Sequence, residues 1–394
     1  MKMNYLIIAL ISLLNSACDK TEIPVENPTI EKIELSMVDK NATSETKALY
    51  ANLWKIRNQG TMFGHHEDLI YGRKWINEPL RSDIKDICGD YPAVCSMDYG
   101  KIEHNQEKSI NGPLFSDVRR VIKESYSRGE VITMCWHLDN PLTGGNSWDN
   151  SNETVVREIL KEGSAMNLKF KSWLDNLSIF TKTLTDINGN PIPILFRPFH
   201  EHTQTWSWWG KKCTTEEEFI GLWKFTIEYL RDEKQLHNFI YAISPQMDFV
   251  QPIENLLFRW PGDNFVDFIG MDCYHGTNTE AFTSNLANLS KLSKEKMKPF
   301  GVTETGLEGI TKDGKDYETY WTNEMLTPLT GRRASLVVLW RNMYDPTESG
   351  HHFYAPFEGQ ASSANFLKFY KSDVTIFSAD LPSMYTMPDG YLIH

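Results

Sequence analysis

Along most of the chain, short apolar runs alternate with segments whose apolar residues fall at helical spacing. Gly60 to His66 reads as a first strand, Tyr91 to Asp98 as a second, and Val131 to Trp136 as a third running into His137-Leu138-Asp139-Asn140-Pro141. Ile192 to Phe196 is a fourth, where Pro198 is expected to end the pairing by removing a donor. Asn238 to Ile243, Val266 to Tyr274, Phe300 to Gly306 and Ala334 to Trp340 complete the series. Helices are expected around Leu49, Leu53 and Ile56, over Leu80 to Ile87, and along Leu114, Val118, Val121 and Ile122 with Gly129 as a stop. Further helices follow along Phe170, Trp173, Leu174, Leu177, Thr181 and Leu184, after the capping-box spacing of Thr215 and Glu218, over Leu286 to Met297 and over Tyr317 to Leu326. Eight strands alternate with helices, and nearly every strand ends in His, Asp, Glu, Tyr or Arg. This pattern predicts an α/β fold, a (β/α)8 TIM barrel with its active site at the C-terminal strand ends. An open doubly wound sheet gives no reason for polar residues at all eight ends.

With 394 residues, 41% of them hydrophobic, the chain suffices for one large α/β domain with a sizeable core. A formal charge of -12 argues against a nucleic-acid backbone as partner and suits a neutral ligand better. Met1 to Asn4 followed by the apolar Tyr5 to Leu14 reads as a secretory signal, too short to span a membrane. It ends in Leu14-Asn15-Ser16-Ala17-Cys18, which resembles a bacterial lipoprotein box with Cys18 as the lipidated residue; plain cleavage and secretion is the alternative. Residues 1–17 are therefore expected as signal, 18–44 as a polar tether and 45–394 as the catalytic domain. The protein is expected as an exported outer-membrane lipoprotein, a monomer that meets the membrane only through its lipid. Cys88, Cys95, Cys135, Cys213 and Cys273 are an odd, scattered set and a poor disulfide framework, with room for one bridge.

Candidate chemistry concentrates in Phe196-Arg197-Pro198-Phe199-His200-Glu201-His202, followed by Trp206-Ser207-Trp208-Trp209-Gly210. A carboxylic acid flanked by arginine and histidine and followed by tryptophans suits a sugar, because aromatic faces form platforms and neighbouring charges tune a carboxyl. Glycoside hydrolysis needs a second carboxylate, and Glu304 ends the seventh strand where Glu201 follows the fourth. In a closed barrel those ends face each other. Carboxyls about 5–5.5 Å apart retain configuration, and a wider pair inverts it. A plainer reading of Glu201 alone is a structural ion pair with Arg197. Trp208, Trp209, Trp173 and Trp223 read as packing, and neither cofactor nor metal is expected, since His200 and His202 place Glu201 on the opposite face of any alternation. Gly309 to Lys315 nearly spells a phosphate loop, but Asp316 stands where Ser or Thr is needed, so it reads as a surface loop.

Arg197 to Glu201, Trp206 to Gly210 and Thr303-Glu304-Thr305-Gly306 together resemble glycoside hydrolase family 26, whose best-known members are β-1,4-mannanases. Trp136 to Pro141, Gly270 to Tyr274 and Trp340-Arg341-Asn342 fall in the same order, so the resemblance covers roughly residues 50 to 345. It implies Glu201 as acid/base and Glu304 as nucleophile, with His137, His200, Trp206 and Tyr274 beside the reacting sugar. Trp340 and Arg341 would lie further along the glycone side, and Trp148 would be a further contact. The implied partner is β-mannan or manno-oligosaccharide. Mixed-linkage β-glucan, β-1,3-xylan, or glycan binding without catalysis are the competing readings. The sequence departs from the family's commoner pattern at Gln204, where glycine is usual, and at Ser207, where an aromatic is usual; both fall on the leaving-group side.

Overall fold

The structure, a computed structural model, describes residues 32–343 and 351–394. Eight parallel strands form its centre: β1 (Thr61–His66), β2 (Val94–Asp98), β3 (Val131–Trp136), β4 (Ile194–Pro198), β5 (Phe239–Ile243), β6 (Phe268–Cys273), β7 (Phe300–Thr305) and β8 (Leu336–Leu339). Neighbours pair in chain order, and β8 returns to β1 with Leu336 opposite Met62 and Leu339 opposite His65. The sheet is therefore a closed barrel, as expected from the alternation, with the short strand Thr375–Ile376 added beside β1. Met62, Val94, Val131, Leu195, Ile240, Phe268 and Leu336 form one apolar cluster across the strands. Leu49, Tyr50 and Leu53 join it from α1 (Ser44–Ile56), which closes the end opposite the polar strand termini. A parallel sheet buried on both faces needs apolar residues at successive positions, which explains the near-continuous runs in the sequence.

The helices α2 (Asp83–Cys88), α3 (Phe115–Ser127), α4 (Val155–Leu160), α5 (Ala165–Thr181), α6 (Glu216–Glu228), α7 (Ile253–Leu256) and α8 (Thr279–Lys296) surround the barrel. Thr215 and Glu218 make both bonds of the capping box at α6, a cap that contributes about 1 kcal/mol. The helix expected from Leu80 starts at Asp83, because Leu80 has φ 64 and the Ser82 hydroxyl caps the helix instead. Likewise α8 starts well before Leu286, capped by Asn278, and ends where Met297 turns left-handed. Tyr317 to Tyr320 stays outside the regular helix, and Trp321–Leu326 winds as a π-helix. Pro198 remains inside β4 opposite Trp136; the pairing it ends is only that with β5, which stops at Phe196. The tether boundary at 44 moves: Ile33–Leu35 pairs with Tyr391–Ile393, and Leu35, Met37 and Val38 are buried, so the fold begins before α1. The signal segment and Cys18 lie outside the described residues. Cys88, Cys95, Cys135, Cys213 and Cys273 are all free thiols.

Candidate active site

Glu304 sits in β7 at a break in the alternation. Phe300 and Val302 point outward into the apolar layer under the helices, so strict alternation would send Glu304 the same way. Between Val302 and Glu304 the register against β6 shifts, with Val302 opposite Met271 and Glu304 already opposite Asp272. This bulge turns the carboxylate into the barrel mouth, a use of bulges known beside active sites. There its Oε2 accepts from Arg197 Nη2 at 2.5 Å and its Oε1 accepts from the Tyr274 hydroxyl at 2.6 Å. Arg197 is buried and also donates to Asp272 Oδ2 at 2.5 Å. Burial opposes the Arg197 charge, but Asp272 and then Glu304 outweigh it and raise its pKa above the ordinary arginine value. Burial and the Glu304 charge push the Tyr274 pKa well up, so its hydroxyl stays a donor.

One layer below, Thr303 Oγ1 donates to Asp272 Oδ1 at 2.8 Å. A Cβ on Gly270 would come within 2.7 Å of that same oxygen, so only glycine lets β6 and β7 approach here.

Glu201 reaches the mouth by another route. After Pro198 the backbone turns left-handed at Phe199 (φ 50) and again at Glu201 (φ 54), conformations that are uncommon outside glycine. The Glu201 amide donates to Ser244 O at 2.8 Å, tying the turn to β5. Its Oε2 accepts from Trp206 Nε1 at 2.8 Å, its one side-chain hydrogen bond among the described residues. Burial pushes the Glu201 pKa well up, and the charges of Glu304 and Asp272 push the same way, while Trp206 and Arg197 pull down. Two carboxyls thus share one mouth, one bound by two donors and the other raised in pKa.

On the other side of the pair, Asp98 Oδ2 lies 2.6 Å from His137 Nδ1, and His137 Nε2 lies 3.0 Å from His200 Nε2. Burial opposes the charge on His137, but Asp98 raises its pKa, whereas burial and His137 lower that of His200. The two shifts favour His137 over His200 as the ring that carries a charge. Trp340 stacks on His66 with centroids 4.4 Å apart and stands 5.9 Å from the His137 ring, and the half-exposed Trp148 stands 5.6 Å from it. These residues make one aromatic and imidazole wall.

The profile of Glycosyl hydrolase family 26 matches residues 38–316, most of the chain. The chain belongs to glycosyl hydrolase family 26. A solved family 26 β-mannanase from Bacteroides ovatus has a TM-score of 0.82 at 37% identity, covering 88% of this chain and 98% of that one. The catalytic domain of a family 26 endo-β-1,4-mannanase from Bacillus sp. JAMB-750 gives 0.83 at 28% identity, covering 93% and 99%. A mannan endo-1,4-β-mannosidase from Bifidobacterium adolescentis is 28% identical over 371 residues, which are 88% of this chain and 36% of that protein. The chain thus spans about a third of that relative's length, and 57% of a similarly named relative from Caldalkalibacillus mannanilyticus.

In this family 26 barrel the residues singled out from sequence converge on one end. Glu304 contacts Tyr274, Glu201 contacts Trp206, and His137 meets His200, Trp148 and Trp340, while the Glu304 charge acts on Glu201, Tyr274 and His137. Arg341 lies further off, with Nη1 2.7 Å from Met343 Sδ and its charge acting on Tyr71 and Glu67. The ion pair of Arg197 with Glu201 does not form; Arg197 binds Glu304 and Asp272 instead. His202 is buried against Phe219, with ring centroids 4.4 Å apart. Trp208, Trp209, Trp173 and Trp223 are buried packing residues. The surface loop expected near Gly309 holds a two-residue hairpin, Thr311–Lys312 against Lys315–Asp316.

Asp98, Asp272, His66 and Glu67 were not singled out. Glu67 accepts from Tyr71 and from Asn111, and burial pushes its pKa up to about 7. Asp98 and Asp272 close apolar runs on strands already counted, so strand-end position was the signal available for both.

Proposed function

We propose that this family 26 protein is a retaining β-mannanase that hydrolyses β-1,4-mannosidic bonds in mannan, glucomannan or galactomannan. The observation that carries the reading is the Glu304 carboxylate held by Arg197 and Tyr274 opposite a Glu201 whose pKa is raised. In the first step Glu304 attacks the anomeric carbon while Glu201 gives its proton to the departing glycosidic oxygen. In the second, Glu201 takes a proton from water, the water oxygen attacks the same carbon, and Glu304 leaves. Two inversions return the starting configuration. The sugar itself is supported by the relatives, a β-mannanase from Bacteroides ovatus and a mannan endo-1,4-β-mannosidase from Bifidobacterium adolescentis.

Product profiles on mannan, barley β-glucan and xylan test the reading. Manno-oligosaccharides released from mannan with the β configuration in fresh product, and intact glucan and xylan, are expected. Cleavage of glucan or xylan with mannan intact overturns the substrate, and binding without cleavage overturns the enzyme.

We also propose export as a lipoprotein anchored through Cys18 and acting as a monomer. The support is the lipobox-like ending of the signal segment. Cys18→Ala should move the protein from membrane to soluble fractions; a variant that stays in the pellet refutes the anchor.

A further inference from the structure

At the end of the barrel opposite the mouth, a cavity of about 320 Å3 opens beside the first residues of β1 and the turn that leads into β8. Arg57, Asn58, Gln59, Leu329, Arg333 and Asp373 are among the residues that line it. That size falls within the range of small-ligand sites, roughly 300–1,000 Å3. None of these residues takes part in the chemistry of the two carboxyls.

Two guanidinium groups on this lining stand without an acid. Elsewhere in this chain of net charge -12, Arg81, Arg120, Arg128, Arg157, Arg197 and Arg231 each form an ion pair. Arg57 and Arg333 form none among the described residues, and the charges that act on Arg57 are those of Arg333, Tyr391 and Tyr50, with no carboxylate among them. Arg57 is nevertheless fixed in place. Its guanidinium lies 3.5 Å over the Trp54 ring, its Nε donates to Trp54 O at 3.0 Å and its Nη1 donates to Ser293 Oγ at 2.8 Å, which leaves Nη2 without an acceptor among the described residues. Arg333 is exposed on a left-handed residue (φ 62). Burial and then the charge of Arg333 lower the Arg57 pKa to about 10, so Arg57 is still a cation at neutral pH. Two like charges that share a cavity repel each other, and an anion between them removes that cost. Asp373 is exposed on the same lining, and it is outnumbered by the two arginines.

We propose that this cavity binds a phosphate group, held by Arg57 and Arg333 with the Asn58 and Gln59 amides beside them. A phosphate monoester carries about two negative charges near neutral pH, which matches two guanidiniums, and their planar forks suit its oxygens. Trp54 and Ser293 hold Arg57 before any anion arrives, so little side-chain freedom is lost on binding. Free phosphate and the headgroup of a membrane lipid offer the same chemistry to the two arginines. The inference is independent of which glycan the barrel mouth cleaves.

Calorimetric titration of the full chain with inorganic phosphate, at constant ionic strength and with chloride as the control anion, tests the site. Wild type should bind phosphate, and Arg333→Gln should bind it at least about tenfold more weakly. Arg57→Gln should weaken binding too, but it also gives up the packing on Trp54, so the exposed Arg333 is the deciding position. Turnover of mannan by Arg333→Gln should stay at the wild-type value, because Arg333 lies at the other end of the barrel. A second arm uses the full chain with Cys18→Ala, which lacks the residue proposed to carry lipid, sedimented with vesicles of phosphatidylcholine alone or mixed with phosphatidic acid. Sedimentation that needs both phosphatidic acid and Arg333 assigns the site to a lipid headgroup. Phosphate binding that needs Arg333, without sedimentation, assigns it to free phosphate. Binding to neither overturns the site, and so does binding that Arg333→Gln leaves at full strength.

Discussion

The ends of β4 and β7 solve the same problem in opposite ways. Each must turn a carboxyl into the barrel mouth, and each breaks regular strand geometry to do so, by left-handed residues at Phe199 and Glu201 and by the bulge before Glu304. Glu304 stays within a paired strand, in contact with a cation and a hydroxyl donor. Glu201 stands on a loop, accepts one indole N–H, and is raised in pKa by burial and by the charges across the mouth. A nucleophile must be ionised and aimed. An acid must hold its proton and then release it, so it gains from fewer partners. On the proposed assignment the difference in support is the functional difference, and it can be tested by removing one support at a time.

Removing the carboxyls themselves should give the largest effect. Glu304→Ala is expected to lose roughly four orders of magnitude or more on every substrate and to show no burst, because no glycosyl-enzyme forms. Glu201→Ala should still form that intermediate from an aryl mannobioside whose leaving group needs no proton, giving a burst and a low apparent KM. Added azide should rescue Glu201→Ala with a β-glycosyl azide and Glu304→Ala with the α-product. Proton NMR of the products reads the anomer, and opposite anomers reverse the two roles.

Arg197→Met comes next. It strips the cation from Glu304 and Asp272 together and leaves two buried carboxylates without a counter-ion, a loss of about 3–5 kcal/mol. Denaturant unfolding measures it. A loss below about 1 kcal/mol would falsify the view that Arg197 is the common support of both acids.

How far the sequence carried this picture follows from the same contrast. The eight strands and the helices between them were legible because a parallel barrel demands apolar runs ending in polar residues. Glu201 and Glu304 were legible as strand-end carboxyls in a family motif. Their supports were less so. The period-two rule assigns Glu304 to the outer face with Phe300 and Val302, and nothing in Phe300 to Thr305 announces the bulge that overrides it. Arg197 sits four residues from Glu201, and that proximity pointed to the wrong partner; the left-handed turn carries Glu201 away while the strand carries Arg197 toward β6 and β7. The fold before residue 44 was hidden because its strand partner, Tyr391–Ile393, is at the far end of the chain.

Tyr274→Phe removes one donor from Glu304 and leaves Arg197 in place. A hydrogen bond to a charged group contributes about 1.5–3 kcal/mol, so kcat should fall about 10- to 100-fold with the melting temperature held. Because the bond holds the nucleophile and not the substrate, KM on an aryl mannobioside should change little. A wild-type kcat would show that Arg197 alone suffices to aim Glu304.

Trp206→Phe should give the smallest effect, and it acts on the other carboxyl. The Trp206 N–H bonds the ionised form of Glu201 and pulls its pKa down against burial and the charges of Glu304 and Asp272. Phenylalanine keeps an aromatic face and loses the donor, so the Glu201 pKa rises further and the group holds its proton to higher pH. Catalysis with a poor leaving group needs that proton, so the alkaline limb of kcat/KM should move to higher pH. The acidic limb should stay in place, because the Trp206 N–H bonds Glu201 and not Glu304. A shift of both limbs would mean that losing the indole donor reaches beyond Glu201, and the contrast between the ends of β4 and β7 would then belong to their geometry and not to their charge.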